Sequence, residues 1–364
     1  MPGRKVLSQL DWGLILTTLL TVATGITMIY SATYSKTAGI QELHLRQLSW
    51  LGVGGVAIIL LLLVDYRFFQ RHAYLIYGVV LLLLIILPLW GTTIGGARRW
   101  LVLGPVRFQP SELAKLAVIL ALARYFSEEE RSRLLGLRDL GIPAVLILLP
   151  VVLVAREPDL GTALVIALIG FIVILTAGLR LGTMLTLGVG LTTLAPLGWF
   201  FLKGYQKARV LTILRGGDPL GAGYHGLQAK IAIGSGGLLG KGLLAGTQSQ
   251  LHFLPAQHTD FIFAVLAEEV GFIGSMWLMI LFAILLLQGL GIAHRARDLF
   301  GTLLAAGVVG SLGLHIVLNI AMTTGLLPIV GLPLPFMSYG GSSLVVNLVG
   351  IGLLLNIKMR RFNF

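Results

Sequence analysis

The sequence predicts an all-α integral membrane protein of about ten transmembrane helices, with one large loop between the seventh and the eighth. Three observations carry that prediction. Hydrophobic residues make up 56% of the 364-residue chain and charged residues 12%, roughly half the charged share of a soluble domain. A water-soluble protein of this size could not hide so much apolar surface. The apolar residues also fall in runs of about 20, the length a helix needs to cross the hydrocarbon core. Finally, the net charge of +12 lies between those runs rather than on one polar face, which argues against a nucleic-acid partner. The absence of cysteine excludes disulfides, thiolate metal sites and cysteine nucleophiles.

Taken in order, the runs begin near Trp12, Leu48, Tyr74, Ser111, Leu140, Gly161, Leu181, Phe261, Thr302 and Ser338. The first follows Arg4 and Lys5, as a signal peptide would, but is long enough to span and lacks a small-x-small cleavage site, so it reads as retained. With the N-terminus inside, the inner segments hold Arg4, Lys5, Arg67, Arg71, Arg124, Arg131, Arg133, Arg138, Arg180, Arg295, Arg297, Lys358, Arg360 and Arg361. The short outer segments hold Lys36, Arg46, Arg98, Arg99, Arg107, Lys115 and Arg156. That two-to-one bias places both termini in the cytoplasm. Residues 1–364 read as a single polytopic domain, with residues 203–260 as the long extracytoplasmic loop within it. This loop holds twelve glycines and three of the seven histidines. Its apolar stretches, Ile231 to Ile233 and Leu251 to Leu254 among them, predict that it packs on the membrane surface. A second outer segment, Leu326 to Gly341, is rich in Pro and Gly.

Polar residues crowd the outer side, so any chemistry is expected there. Asp260 closes the long loop in His258-Thr259-Asp260-Phe261-Ile262-Phe263. A carboxylate partly desolvated at the interface suits a general base; equally, Thr259 or Asp260 could simply cap the helix that follows. Glu112 and Lys115 lie three apart at the outer end of the fourth span, on one helix face. Charges inside a span normally face a cavity or a partner, so this is either a structural ion pair or a substrate contact. Glu268 and Glu269 read as packing polarity.

Arg98, Arg99, Lys203, Lys207, Arg209, Arg215, Lys230 and Lys241 make the outer surface basic, as anionic lipid headgroups or a pyrophosphate would require, although interfacial snorkelling explains some of them. Ser235-Gly236-Gly237-Leu238-Leu239-Gly240-Lys241-Gly242 has only the outline of a phosphate loop. It lacks the first glycine and the final Ser or Thr, and it lies outside, so it is rejected as a nucleotide site. His252 and His258 lack the helical i, i+4 spacing of a metal pair. No Gly-x-Ser-x-Gly or His-Glu-x-x-His occurs to anchor a hydrolase.

The same segments resemble the SEDS family (shape, elongation, division, sporulation). The likeness rests on Gly246-Thr247-Gln248-Ser249-Gln250-Leu251 with Phe253-Leu254-Pro255 and His258-Thr259-Asp260-Phe261-Ile262-Phe263-Ala264. It continues in Ala97-Arg98-Arg99-Trp100, Phe108-Gln109-Pro110-Ser111-Glu112, Glu157-Pro158-Asp159-Leu160-Gly161-Thr162 and Gly234 to Gly242. Thr324-Gly325-Leu326-Leu327-Pro328 and Pro333-Leu334-Pro335 with Ser338-Tyr339-Gly340-Gly341-Ser342-Ser343 complete it. The motifs occur in order along nearly the whole chain.

The resemblance implies a ten-helix peptidoglycan glycosyltransferase of the bacterial inner membrane that polymerises lipid II, elongating a lipid-linked glycan on the outer leaflet. It also implies a class B penicillin-binding protein as transpeptidase partner and a place in the elongation machinery. The family's catalytic aspartate falls on Asp260. Its Glu and Lys of the fourth span fall on Glu112 and Lys115, and Glu157, Asp159, His258 and Ser338 join the substrate-binding set with Arg98, Arg99, Lys230 and Lys241. A departure is Ala256-Gln257, where many relatives carry a charged residue. No cofactor is implied with certainty; a divalent cation on the pyrophosphate is compatible with the chemistry. Two rivals stay open on the residues: a transporter that flips lipid II, and a non-catalytic scaffold.

Overall fold

The computed structural model describes residues 10–34, 40, 42–94, 97–104, 106–128, 134–201, 204, 207, 211, 223–251 and 253–361. Ten long helices are found among the described residues, in the expected order. They are α1 (Trp12–Thr33), α2 (Leu43–Leu63), α3 (Tyr66–Trp90), α4 (Pro110–Glu128), α5 (Gly141–Arg156), α6 (Leu160–Gly178), α7 (Leu181–Phe201), α10 (Ile262–His294), α11 (Leu299–Thr323) and α12 (Gly341–Met359). Between α7 and α10 lie α8 (Tyr224–Ser235) and the single turn α9 (Thr247–Gln250). The chain is a multi-pass helical membrane protein.

Two helices begin earlier than their apolar runs, α2 at Leu43 and α3 at Tyr66. Their first turns carry charged and polar side chains such as Arg46, Arg67 and Arg71, which a search for apolar runs skips. At α3 a side-chain cap sets the start, whereas α2 begins after Glu42 without one. Asp65 accepts from the Arg67 amide at 2.9 Å, as Asp11 does from Leu14, Asp159 from Thr162 and Asp298 from Gly301, each satisfying an amide that has no partner within its helix.

α4 and α11 form the centre. Ala114, Ala117 to Ala123, Leu303 to Ala305 and Leu312 are buried, and α11 packs on α4, α6, α10 and α12. α2, α3 and α5 instead present exposed Leu60, Leu63, Leu75, Leu82, Leu89 and Leu148. Apolar faces of that extent mark lipid contact. One end of the bundle gathers the helix ends nearest the termini. There Lys358 pairs with Asp11, Arg360 with Asp65 at 3.3 Å, and Tyr66 donates to Asp298 at 2.6 Å.

The opposite end, which carries the long loop, departs from the expected outline in three ways. First, three strands form a small antiparallel sheet, β1 (Thr92–Ile94), β2 (Ala97–Leu103) and β3 (Val106–Phe108), too short to show a clear alternation in sequence. Second, the Pro/Gly segment before α12, read from the sequence as an outer segment, dips into the bundle. A Cβ on Gly25 would collide with the Phe336 carbonyl and Met337 Cα, and Gly25 lies eight residues, or about 12 Å, inside the end of α1. Leu332, Leu334, Phe336 and Met337 are buried; irregular backbone at that depth is tolerated because protein covers it.

Third, α10 breaks at Gly271 (φ 69°, ψ −161°), a conformation open only to glycine. The amides freed by the break are taken up by the glycine-rich loop: Phe272 N–H donates to the Gly237 carbonyl at 2.9 Å and Ile273 N–H to Leu238 at 3.2 Å. In its described part the loop also packs on the bundle itself. α8 packs on α10 and α11 through buried Ala229 and Ala232.

Candidate active site at the loop end of the bundle

Asp260 sits in the turn that enters α10. Its N–H donates to the Ala256 carbonyl at 3.1 Å, and its own carbonyl accepts from Asn319 Nδ2 at 2.9 Å. The capping alternative is not what forms. The N-cap is Phe261, with no side-chain cap bond, and the Thr259 hydroxyl donates back to Ala256 instead. The Asp260 carboxylate faces the dipping segment, with Oδ2 3.3 Å from where a Cβ on Gly331 would stand. The same Asn319 amide donates to the Leu332 carbonyl at 2.7 Å, so one side chain of α11 pins both walls of this corner.

One helical turn below Asn319 on α11 is His315, a residue the sequence reading did not single out. Lys115 Nζ stands 2.9 and 3.0 Å from the two Glu112 oxygens and 3.0 Å from His315 Nε2. All three side chains are buried, Lys115 to 2% exposure. An ammonium has three N–H groups, and here each has an acceptor, which is what makes a buried ion pair tolerable. Polar residues four apart in an apolar span were the available signal for His315 and Asn319.

Beside the corner lies the turn between α5 and α6. Gly161 approaches so closely that a Cβ there would meet the Val330 carbonyl at 2.8 Å. Arg99 of β2 holds this turn, donating to the carbonyls of Glu157 and Pro158 and lying 3.7 Å from Asp159 Oδ2. Asp159 also caps α6 and accepts from Gln109 at 3.4 Å. Glu157 is 4% exposed and neither carboxyl oxygen has a hydrogen-bond partner. Burial, with a smaller push from Asp159 and against the pull of Arg99, raises its pKa to about 8.

The remaining expected residues divide by what holds them. Ser338 is a latch: its hydroxyl donates to the Thr259 carbonyl at 2.5 Å and accepts from Leu334 N–H, while its carbonyl accepts from Gln47 at 3.1 Å. The His258 carbonyl accepts from Tyr339 N–H at 2.8 Å. Lys241 is engaged by Glu268 at 2.8 Å, and Glu269 accepts from Ser31 at 2.6 Å, so both adjacent glutamates serve packing. Gln257, at the departure from the family pattern, is buried and donates to the Ala32 carbonyl. Arg98 is exposed, donating to the Pro88 carbonyl at 2.9 Å. Lys230 is exposed with no acidic partner among the described residues. Lys203, Arg209, Arg215 and His252 lie outside the described residues. No three His, Asp or Glu side chains converge as a metal site among the described residues.

Fold and corner together define a polytopic membrane protein with a carboxylate held at one end of the bundle, above a buried Glu–Lys–His cluster. Within that class the chain belongs to the cell cycle protein family of FtsW, RodA and SpoVE, whose model matches residues 11–363. It is 44% identical over 338 residues to the peptidoglycan glycosyltransferase MrdB of Escherichia coli strain K12, covering 92% of this chain and 91% of that protein. Among solved structures it is similar to a chain from work on the structural coordination of polymerization and crosslinking by a peptidoglycan synthase complex. That match has a TM-score of 0.85 and 37% identity, and covers 98% of this chain and 99% of the other. The rod shape determining protein RodA of Thermus thermophilus matches with a TM-score of 0.73 and 35% identity over 98% of each chain.

Proposed function

We propose that the chain is a peptidoglycan glycosyltransferase that polymerises lipid II, with Asp260 as general base. Its relatives' activity supports the reaction class; the observation that carries the residue assignment is the Asp260 corner. The aspartate does not cap α10, its backbone is held by Asn319, and its carboxylate faces the glycine at 331. In this reading Asp260 takes the proton from the 4-hydroxyl of the acceptor sugar. The oxygen attacks the anomeric carbon of the donor's muramoyl unit, a β-1,4 bond forms with inversion, and the bond to phosphate breaks. The electron pair leaves with undecaprenyl pyrophosphate, which carries its own stabilised charge and needs no general acid.

The leaving group does need positive charge. Arg98 and Lys230 are the exposed cations for that duty. Arg99 and Lys241 are held by the protein's own acceptors, and Lys115 supports from within the bundle. A divalent cation carried by the pyrophosphate itself is compatible with this scheme, but the described residues offer no cluster to hold one, and no step is routed through it. In this reading the basic residues at the termini end favour the cytoplasmic side for it and the corner faces outward, where a class B penicillin-binding protein of the elongation machinery would cross-link the product.

The test is polymerisation of lipid II by purified protein with a transpeptidase-inactive partner. Asp260→Asn is expected to lower glycan synthesis by roughly 10²- to 10⁴-fold, the usual worth of a general base, while leaving insertion and partner binding intact. Near wild-type synthesis by that variant would remove Asp260 from the mechanism. Lipid II movement across vesicles without any glycan product would favour the transporter.

A further inference from the structure

On α11, Ser311, His315, Asn319 and Thr323 recur every four residues, so they share one face along the helix. Each of the first three is used. The Ser311 carbonyl lies 2.8 Å from His315 Nδ1. A carbonyl can only accept, so Nδ1 carries the proton and Nε2 is left as an acceptor. That tautomer is the one that can receive a hydrogen bond from Lys115 at 3.0 Å. One turn, about 6 Å, further along the helix, Asn319 holds the carbonyls of Asp260 and Leu332. The buried ion pair of α4 and the backbone of Asp260 are thus referenced to one rigid helix face.

We propose that His315 is a positioning residue for the transferase reaction: it completes the Lys115 ammonium's shell and thereby fixes α11, and through Asn319 the Asp260 turn, against α4. This rests on the reading of Asp260 as the base. Without the Nε2 acceptor, one N–H of a buried ammonium has no partner. The cluster then relaxes by tilting Lys115 or by shifting α11 on α4, and either movement displaces the turn that α11 holds. Misplacement of a reacting group by about 1 Å costs on the order of 100-fold in rate.

Three substitutions separate this role from mere packing. A Gln side chain can bring its amide oxygen near the position of Nε2, whereas Asn reaches only to the level of Nδ1, and Leu fills the space with no acceptor. The prediction is a kcat split. Per folded molecule, His315→Leu and His315→Asn should lose roughly 10- to 100-fold in kcat for lipid II polymerisation, with KM changed less than threefold, while His315→Gln recovers to within about fivefold of wild type. A purely structural histidine would lower the yield or melting temperature of all three and leave the kcat of the folded fraction alone.

Wild-type protein and Asp260→Asn are run alongside. A wild type without glycan product, or an active Asp260→Asn, strikes at the parent reading. With that control behaving as expected, full kcat in His315→Leu overturns the positioning role. Should His315→Leu fail to assemble, equal kcat for His315→Gln and His315→Asn overturns it as well.

Discussion

Replacing Glu268 by Gln should release the loop that leads to Asp260. The Glu268 carboxylate is fully buried and accepts from Lys241 Nζ at 2.8 Å, Gln248 N–H at 2.9 Å, Thr247 Oγ1 at 3.1 Å and Ser249 N–H at 3.3 Å. A glutamine of the same size can keep its oxygen where Oε1 accepts from Lys241, Thr247 and Gln248, but it removes the charge from those three bonds and turns an NH2 group toward the Ser249 N–H that Oε2 served. Hydrogen bonds to a charged group are worth about 1.5–3 kcal/mol each and do not add fully. Lys241 is about a quarter exposed, so its ammonium can turn toward water and recover part of the loss. The net cost to the closed loop is then roughly 2–4 kcal/mol, or about 30- to 700-fold in its opening equilibrium at 1.4 kcal/mol per tenfold.

The assay is amide hydrogen exchange in detergent, read at Gln248 and Ser249 and at Lys241 and Gly242, whose N–H groups donate to the Glu268 and Glu269 carbonyls. Amides of α11 between Leu303 and Leu312 serve as an internal control, since none of them bonds to Glu268 or its donors. If exchange at Gln248 and Ser249 rises less than threefold, the carboxylate does not hold the loop. Slower polymerisation should accompany release, because the same loop is tied to α1 through Gln250 and Gln257, which donate to the Ser31 and Ala32 carbonyls.

Two further outcomes can be measured on the purified protein. Glu157 holds its proton up to about pH 8 in the folded state but ionises near 4.5 when unfolded. Between those values the folded state binds the extra proton, so stability should fall as pH rises, by up to about 1.4 kcal/mol per unit. Glu157→Gln should therefore melt higher than wild type at pH 8 and converge with it at pH 4; an equal difference at both would exclude the titration. Gly25→Val should drive the segment around Phe336 and Met337 out of its seat, since even a Cβ collides there with backbone. A loss of several degrees in melting temperature and of most polymerase activity is expected, and a fully active, equally stable variant would contradict the seating of that segment against α1.

The helices were legible in the sequence because hydrocarbon thickness imposes a length on every span and excludes charge from most of it. The exceptions were legible for the same reason. Glu112 and Lys115 stand out in α4 because charge inside a span must be compensated, and their spacing already placed them together. His315 and Asn319 were harder. A single polar residue in an apolar helix looks the same in sequence whether it serves a neighbour on its own helix or reaches another. Only the packing of α11 on α4, and of α11 on the turn before α10, shows that both reach across.

The break in α10 lies further from view, since its partners are distant. Gly271 alone could be an ordinary helix glycine. Its freed amides are satisfied by Gly237 and Leu238, more than thirty residues earlier, in the stretch that has the outline of a phosphate loop. That stretch is glycine-rich because it must approach a broken helix closely: Gly240 and Gly236 would both collide with α10 backbone if they bore a Cβ.

The same accounting sorts the acids. Glu112, Glu268, Glu269 and Asp159 are each committed to donors of the protein itself, and Glu157 is sealed and holds its proton. A base must be reachable, ionised and fixed in place. Among the described acids at this end of the bundle, Asp260 is the partly exposed one whose backbone is held on both sides, by Ala256 and Asn319. That half-buried place in the turn entering α10, with the backbone fixed and the carboxylate toward Gly331, is the position that the family resemblance selects.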